Sequence, residues 1–216
     1  MVFRLDNQIV FPDPHLGEPD GLLAVGGDLS AERLLLAYSN GIFPWYSFRH
    51  EDILWFCPME RFVIFPDKVK ISHSMRNLMN HHTFKYSVNK DFSAVINGCA
   101  TINDRNKLDG AWLGPDIIEA YTHLHKLGFA TSIETWHGDK LAGGLYGVSL
   151  GHCFFGESMF SLEPNASKAA LIYLARTMAA HGGRLIDCQF ETEHLKSMGG
   201  EKISYDEYLR IIRLKQ

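Results

Sequence analysis

The chain has 216 residues and a net charge of −4, enough for one good core or for a core plus a smaller domain, and a balance that argues against wholesale nucleic-acid binding but not against a local basic patch. Hydrophobic residues make up 46% and charged residues 21%, so the chain is an ordered globular one and not a disordered one. No run approaches the roughly 20 apolar residues that span a bilayer, and Met1-Val2-Phe3-Arg4-Leu5-Asp6 lacks a signal-peptide pattern, so a cytoplasmic location is the default expectation.

Residues 8–29 are punctuated by Pro12, Pro14, Pro19, Gly21, Gly26 and Gly27 and read as a loop system around the short apolar run Leu22–Val25. Ser30 is placed to cap a helix reaching about Ser39, with Leu34, Leu35 and Tyr38 on one side, and Gly41 is placed to end it. Ile42-Phe43-Pro44-Trp45-Tyr46 is an aromatic run interrupted by proline, and Ile53–Pro58 is strand-like. This aromatic region defines a first candidate domain, residues 1–61.

Phe62–Phe65 is a strand candidate, Ser72 opens a helix to about Met79, and Phe84–Val88 alternates like a strand. Asn89 or Asp91 caps a helix carrying Phe92, Val95 and Ile96; Thr101–Asp109 is polar and loop-like. Pro115 fits the first turn of a helix and Gly128 its end, with Ile117, Ala120, Tyr121, Leu124 and Leu127 as the apolar stripe. The period then changes, and Phe129–Trp136, Leu141–Leu150 and His152–Phe160 read as three consecutive strands. Gly138-Asp139 supplies the first turn and Gly151 the second, while Gly143, Gly144 and Gly147 predict bulges or a close backbone approach.

A strong helix follows from about Ala166 to His181, ended by Gly182-Gly183. Arg184–Gln189 is a strand leading into a short helix stopped by Gly199-Gly200, and Ser204 with Glu207 forms a capping-box pattern for the last helix. After residue 62 the order is β-α-β-α-α-β-β-β-α-β-α-α, which predicts an α+β fold with helices on a mixed sheet. There is no internal repeat.

The four cysteines, Cys57, Cys99, Cys153 and Cys188, form no CxxC pair, and a chain of this length needs no disulfide staple; three stand in apolar company and read as buried thiols. The eleven histidines are scattered, and His81-His82 lacks ligand-pair spacing, so nothing supports a metal site.

Chemistry concentrates late in the chain. Glu157 follows Gly156 in an apolar strand context, where a carboxylate is costly unless paired; it is either a functional acid or a structural ion-pair or capping acid. Asp187 and Gln189 lie two apart, which on a strand puts both side chains on one face. Asp187 can then accept from the Gln189 amide nitrogen and leave the amide oxygen for a donor such as a primary amine; the alternative is two polar residues satisfying local backbone. A glutamine guides an amine and does not store its proton.

Trp45, Tyr46, Trp55, Trp112 and Tyr121 supply either a core and interdomain seam or a stacking surface. Lys168 and Arg176 ride the helix after the site, and Arg76, Lys85, Lys90, Arg105 and Lys107 form a diffuse basic edge. Neither GxGxxG, Walker A, GxSxG nor HExxH is present, and Ser158 has no evident base partner. A covalent hydrolase is disfavoured; direct attack by a bound nucleophile on an activated substrate fits better.

Five stretches, Glu18–Leu29, Ala37–Tyr46, Gly156–Ser161, Asn165–Lys168 and Leu185–Gln189, resemble, in order, the motifs of the leucyl/phenylalanyl-tRNA–protein transferase family over about residues 8–200. Members of that family move leucine, phenylalanine or sometimes methionine from an aminoacyl-tRNA to the N-terminal arginine or lysine of a protein, marking it for bacterial N-end-rule degradation. The resemblance implies a small N-terminal domain, 1–61, joined to an acetyltransferase-like (GNAT-like) domain, 62–216. The chain lacks the glycine-rich pyrophosphate loop of coenzyme A users, and no metal or organic cofactor is implied.

The same resemblance puts Glu157 near the acceptor's cationic side chain and makes Asp187 and Gln189 the pair that orients and polarises the acceptor α-amine. It places Met159, Leu171, Leu174 and Met178 in an apolar pocket, with Phe154 and Leu145 nearby; the helical spacing of Leu171, Leu174 and Met178 also fits plain core packing. Trp45 and Trp112 resemble aromatics around the 3′-terminal adenosine, Tyr38 and Tyr121 their polar-tipped partners, and Arg76 part of a basic helix that meets the tRNA backbone. Asn77 and Asn80 make that helix less basic than the family pattern, and Leu145 stands where methionine is common, which bears on tRNA affinity and donor preference. The expected partners are Leu-tRNA, Phe-tRNA and Met-tRNA and proteins with N-terminal Arg or Lys, for a monomer with no membrane partner. The rival readings are an acetyltransferase-like enzyme with another acyl donor and a noncatalytic binder of tRNA ends or protein N-termini.

Overall fold

The computed structural model describes residues 2–45, 52–101 and 113–214. Their strands form two sheets. The smaller gathers β1 (Phe3–Leu5), β2 (Leu22–Gly26), β3 (Phe43–Trp45) and β4 (Leu54–Phe56) in the order β1-β2-β4-β3, with α1 (Ala31–Ser39) between β2 and β3 in the chain. The larger contains β5 (Glu60–Ile64), β6 (Lys85–Val88), β7 (Ala130–His137), β8 (Lys140–Leu150), β9 (Cys153–Ser161), β10 (Leu185–Gln189) and β11 (Glu201–Ser204), ordered β11-β5-β10-β9-β8-β7-β6. Its pairs are antiparallel except β9 with β10, which run parallel near the middle. The helices are α2 (His73–Asn80), α3 (Phe92–Thr101), α4 (Pro115–Lys126), α5 (Ala166–Ala180), α6 (Glu193–Ser197) and α7 (Tyr205–Arg213). This is the α+β class, a mixed sheet flanked by helices, that the element order predicts.

Both faces of the large sheet are buried, and the period of two divides them. Val63, Tyr146, Phe155 and Leu185 enter one apolar cluster with α3, α4 and α7; their neighbours Ile64, Leu145, Phe154 and Ile186 enter a second cluster under α5 and α2. The first cluster also takes in Leu23, Leu34, Tyr38, Phe43 and Trp55, so the small sheet and α1 share its core.

Local chemistry sets the ends of these elements. Ser30, Ser72 and Ser204 each accept a hydrogen bond from the backbone N–H three residues on, capping α1, α2 and α7. Asp91 accepts from the Ala94 N–H at 2.9 Å and is the side chain that caps α3; Asn89 binds the Ser132 N–H instead. A Cβ at Gly147 would lie 2.1 Å from the Phe155 carbonyl oxygen, and the β8–β9 register shifts at Tyr146/Gly147, which is the close approach the glycines predict.

β1 and β11 are absent from the sequence-based order. Both are short edge strands whose pairing partners, β2 and β5, lie far away in the chain, so local pattern carries little of their signal. The predicted loop after Thr101 lies outside the described residues, while Thr101 itself is the last residue of α3. Among the described residues no helix is long and apolar enough to cross a membrane.

Candidate active site

β9 and β10 pair from Cys153–Leu185 to Phe155–Asp187 and then part. Beyond that point Gly156, Glu157, Cys188 and Gln189 line a cavity of about 390 Å³ that also reaches β3 and α6. Backbone groups past the last paired residues are what a sheet offers to a ligand, and the cavity opens there.

Glu157 is the polar centre. Tyr38, from α1, donates its hydroxyl to Oε1 at 2.7 Å, Tyr121, from α4, donates to Oε2 at 3.0 Å, and the Gln189 side-chain nitrogen donates to Oε1 at 3.2 Å. The two tyrosine hydroxyls also bond each other. Burial pushes the Glu157 carboxyl up to about 7; the hydrogen bonds from Tyr38, Tyr121 and Gln189 oppose that rise, and the charge of Asp187 adds to it. These partners are neutral donors, so Glu157 is not the structural ion-pair acid that its sequence context also allowed.

Tyr38 and Tyr121 are 0% exposed and do not line the cavity. The resemblance sets them among substrate-facing groups; the structure sets them behind Glu157, because α1 and α4 pack their rings into the core with only the hydroxyls reaching the carboxylate.

Asp187 is also fully buried, and its partner is not the Gln189 side-chain amide. Arg61 on β5 donates Nε to Oδ1 at 2.9 Å and Nη2 to Oδ2 at 2.7 Å, and Tyr208 of α7 donates to Oδ2 at 2.8 Å. Oδ1 accepts the backbone N–H of Gln189 at 2.9 Å. The two-apart rule fails here because β10 bulges between Asp187 and Gln189 and Gln189 takes φ +63°, so its side chain turns to Glu157 instead.

The apolar walls are partly those expected. Leu145, Phe154, Met159 and Leu171 line the cavity. Leu174 and Met178 do not: they lie further along α5, in the apolar cluster beneath it, with Met178 against Gly183. Helical spacing put all three α5 residues on one face, but of the three only Leu171, the nearest to the helix N-terminus, reaches the opening. Trp45 stands at the cavity wall, 38% exposed, with its ring edge-on to Phe190 at 5.7 Å and to Phe56 at 6.2 Å. Trp112 and Tyr46, together with Arg105 and Lys107, lie outside the described residues. Arg76 is exposed on α2, away from the cavity lining.

Sequence reasoning missed Arg61, Tyr208, Phe43, Phe190 and His194. The one available signal was Arg61, a lone cation at the head of the apolar run Phe62–Phe65. His194 lines the cavity on α6, and burial first, then the charge of Lys168, lower its pKa. Burial pushes the Cys188 thiol well up, so the cavity's cysteine is not a thiolate nucleophile. No group of three or more His, Cys, Asp or Glu able to hold a metal occurs among the described residues. What remains is a largely apolar chamber ending at a carboxyl and an amide.

Residues 63–213 match the family model described as leucyl/phenylalanyl-tRNA protein transferase, and residues 27–59 match that of its N-terminal domain. The leucyl/phenylalanyl-tRNA–protein transferase of Syntrophobacter fumaroxidans is 49% identical over 98% of this chain and 89% of that protein. That of Syntrophus aciditrophicus is 52% identical over 97% of this chain and 87% of that protein. A solved GCN5-related N-acetyltransferase from Sphaerobacter thermophilus aligns with a TM-score of 0.44 at 12% identity, over 88% of this chain and 60% of that chain, a likeness too distant to assign chemistry. With family models matching along most of its length and near-half identity to such relatives, the chain belongs to the leucyl/phenylalanyl-tRNA–protein transferase family.

Proposed function

We propose that this enzyme transfers leucine or phenylalanine, and also methionine, from aminoacyl-tRNA to the N-terminal arginine or lysine of proteins, as a monomer in the cytoplasm that feeds N-end-rule degradation. The observation that carries the reading is the apolar chamber of Leu145, Phe154, Met159 and Leu171 ending at the Glu157–Gln189 pair.

The ester of an aminoacyl-tRNA is already activated, so placement is most of the catalysis. The donor side chain fills the chamber, whose flexible Met and Leu walls accept a branched aliphatic chain or a phenyl ring. Trp45 and Trp112 stack the terminal adenosine, and Arg76 meets the tRNA backbone. The Gln189 nitrogen is occupied by Glu157, which leaves its carbonyl oxygen to accept from the acceptor α-amine. The amine lone pair attacks the ester carbonyl, the C–N bond forms, the bond to the ribose oxygen breaks, and the nitrogen's proton ends on that oxygen. The acceptor's cationic side chain faces Glu157 and favours its ionised form. Both parts of the chain meet at the chamber: residues 1–61 supply Phe43, Pro44 and Trp45 to its lining, and residues 62–216 supply the rest.

The test uses purified protein, Leu-tRNA or Phe-tRNA labelled in the amino acid, and matched peptides beginning with Arg, Lys or Ala. Transfer to the Arg and Lys peptides with little to Ala is the expected result. Equal transfer to all three removes the charge-reading role of Glu157. No transfer with folded protein and intact charged tRNA favours a binding protein.

A further inference from the structure

We propose that Arg61 is a positioning residue for this transfer: together with Tyr208 it clamps Asp187, and Asp187 in turn holds the Gln189 backbone in the conformation that aims its amide at Glu157. The inference rests on the transfer reading above. It gives Asp187 a holding role, and it separates Asp187 from any direct part in moving charge or protons.

Arg61 is 0% exposed, and its guanidinium lies over the rings of Phe43 and Tyr208, at 4.8 and 4.7 Å from their centroids. That stack fixes the plane of the fork. The fork then meets Asp187 side-on, through Nε and Nη2, and Tyr208 adds its hydroxyl. The fourth donor is the Gln189 N–H. A carboxylate offers about four lone-pair sites, and these four donors use them. None is left for a substrate amine or for the Gln189 side chain. Burial, the largest single effect, lowers the Arg61 pKa, but the charges of Asp187, Tyr208 and Cys57 and the hydrogen bond to Asp187 together outweigh it, so the guanidinium stays charged.

The bond from the Gln189 N–H to Asp187 spans two residues and closes an Asx turn. Gln189 is non-glycine in the left-handed region, at φ +63°, which needs such support. Its side-chain nitrogen reaches Glu157 only from that backbone, past the bulge that sets Cys188 aside. As a source of stability the pair is a poor arrangement: Arg61 Nη1 is buried with no hydrogen-bond partner among the described residues, and an apolar pair of similar volume serves a core as well. Its specific effect is to place one carboxylate, and through it one backbone N–H. The chain of contacts also ties the site to α7, through Tyr208, and to β3, through Phe43.

Four variants test this: Asp187→Asn, Arg61→Met, both together, and Arg61→Lys. Each is assayed for melting temperature and for kcat and KM with Leu-tRNA and an Arg peptide. Each neutral single variant leaves a buried charge unpaired and melts lower, with kcat down about tenfold or more. The double variant removes both charges, and the amide oxygen introduced at 187 still accepts the Gln189 N–H; its kcat recovers to about tenfold or more above Asp187→Asn. Arg61→Lys keeps the charge but loses the fork, so kcat falls about tenfold while KM for Leu-tRNA holds within about twofold. A folded double variant no more active than Asp187→Asn overturns the proposal, because the Asp187 charge would then act on the chemistry. Wild-type kcat in Arg61→Lys overturns it too, and that variant alone decides if the double variant does not fold. Wild-type transfer to the Arg peptide, run beside each variant, separates failure of this inference from failure of the transfer reading.

Discussion

Glu157 and Gln189, on neighbouring strands that have just stopped pairing, are joined by a 3.2 Å hydrogen bond from the amide nitrogen to Oε1. The bond commits the nitrogen and orients the amide oxygen, which makes the glutamine directional. Gln189→Leu removes both the donor to Glu157 and the acceptor for the incoming amine. The expected loss is about 10²-fold in kcat, with KM for the aminoacyl-tRNA within about twofold. Steady-state kinetics with an Arg peptide check it; a rise in donor KM at unchanged kcat contradicts it.

The carboxyl of Glu157 titrates near 7, raised by its burial, so it exchanges its proton in the working pH range. Acceptor cations prefer the ionised form, and kcat/KM for an Arg peptide therefore rises as pH increases through about 7. Glu157→Gln flattens that limb and leaves only the titration of the acceptor's own α-amine. A limb of equal slope in the variant assigns it elsewhere.

The same group bears on stability with a definite sign. Its folded pKa stands above its ordinary value of 4.5, so the folded state holds the proton more tightly than the unfolded state. Stability from this group is therefore greatest below about 4.5, is lost as pH rises between 4.5 and about 7, and changes no further above that, to a total of at most about 3 kcal/mol. Thermal melts between pH 5 and 8 compare the two proteins: the wild type loses stability relative to Glu157→Gln as pH increases.

Tyr38 and Tyr121 hold the carboxylate from behind. Replacing either with phenylalanine keeps the ring in the core and deletes one donor to Glu157, at a cost of about 1–3 kcal/mol in stability. Loss of a donor to the ionised form moves the acid limb of the pH profile upward. Because the hydroxyls also bond each other, the double variant is expected to be non-additive, which a double-mutant cycle measures.

Leu171 and Leu174 stand three apart on α5 and are predicted to behave differently. Leu171 lines the cavity, so Leu171→Ala enlarges the chamber and shifts donor preference from leucine toward phenylalanine by about 10-fold. Leu174 is in the core beneath, so Leu174→Ala lowers stability by about 2–5 kcal/mol with the donor ratio unchanged. Competition between labelled Leu-tRNA and Phe-tRNA, with melting curves, separates the two.

The sequence by itself determined the elements whose signal is local. Ser30, Ser72 and Ser204 cap helices wherever the chain lies, the strands of residues 130–161 carry their own period, and Gly147 marks the place where backbones nearly touch. It also marked Glu157, Asp187 and Gln189 as polar residues out of place in buried strands. Tertiary structure decided what those residues do, because every one of their decisive partners but one is remote: Tyr38 is 119 residues from Glu157, and Arg61 is 126 from Asp187. The exception, the Asp187–Gln189 contact, is local in sequence but depends on a bulge that only pairing with β5 creates. Spacing alone sent the Asp187 side chain to the glutamine amide. The buried charge of Arg61 captured it instead, because an ion in the core must be met by an opposite charge before any neutral partner.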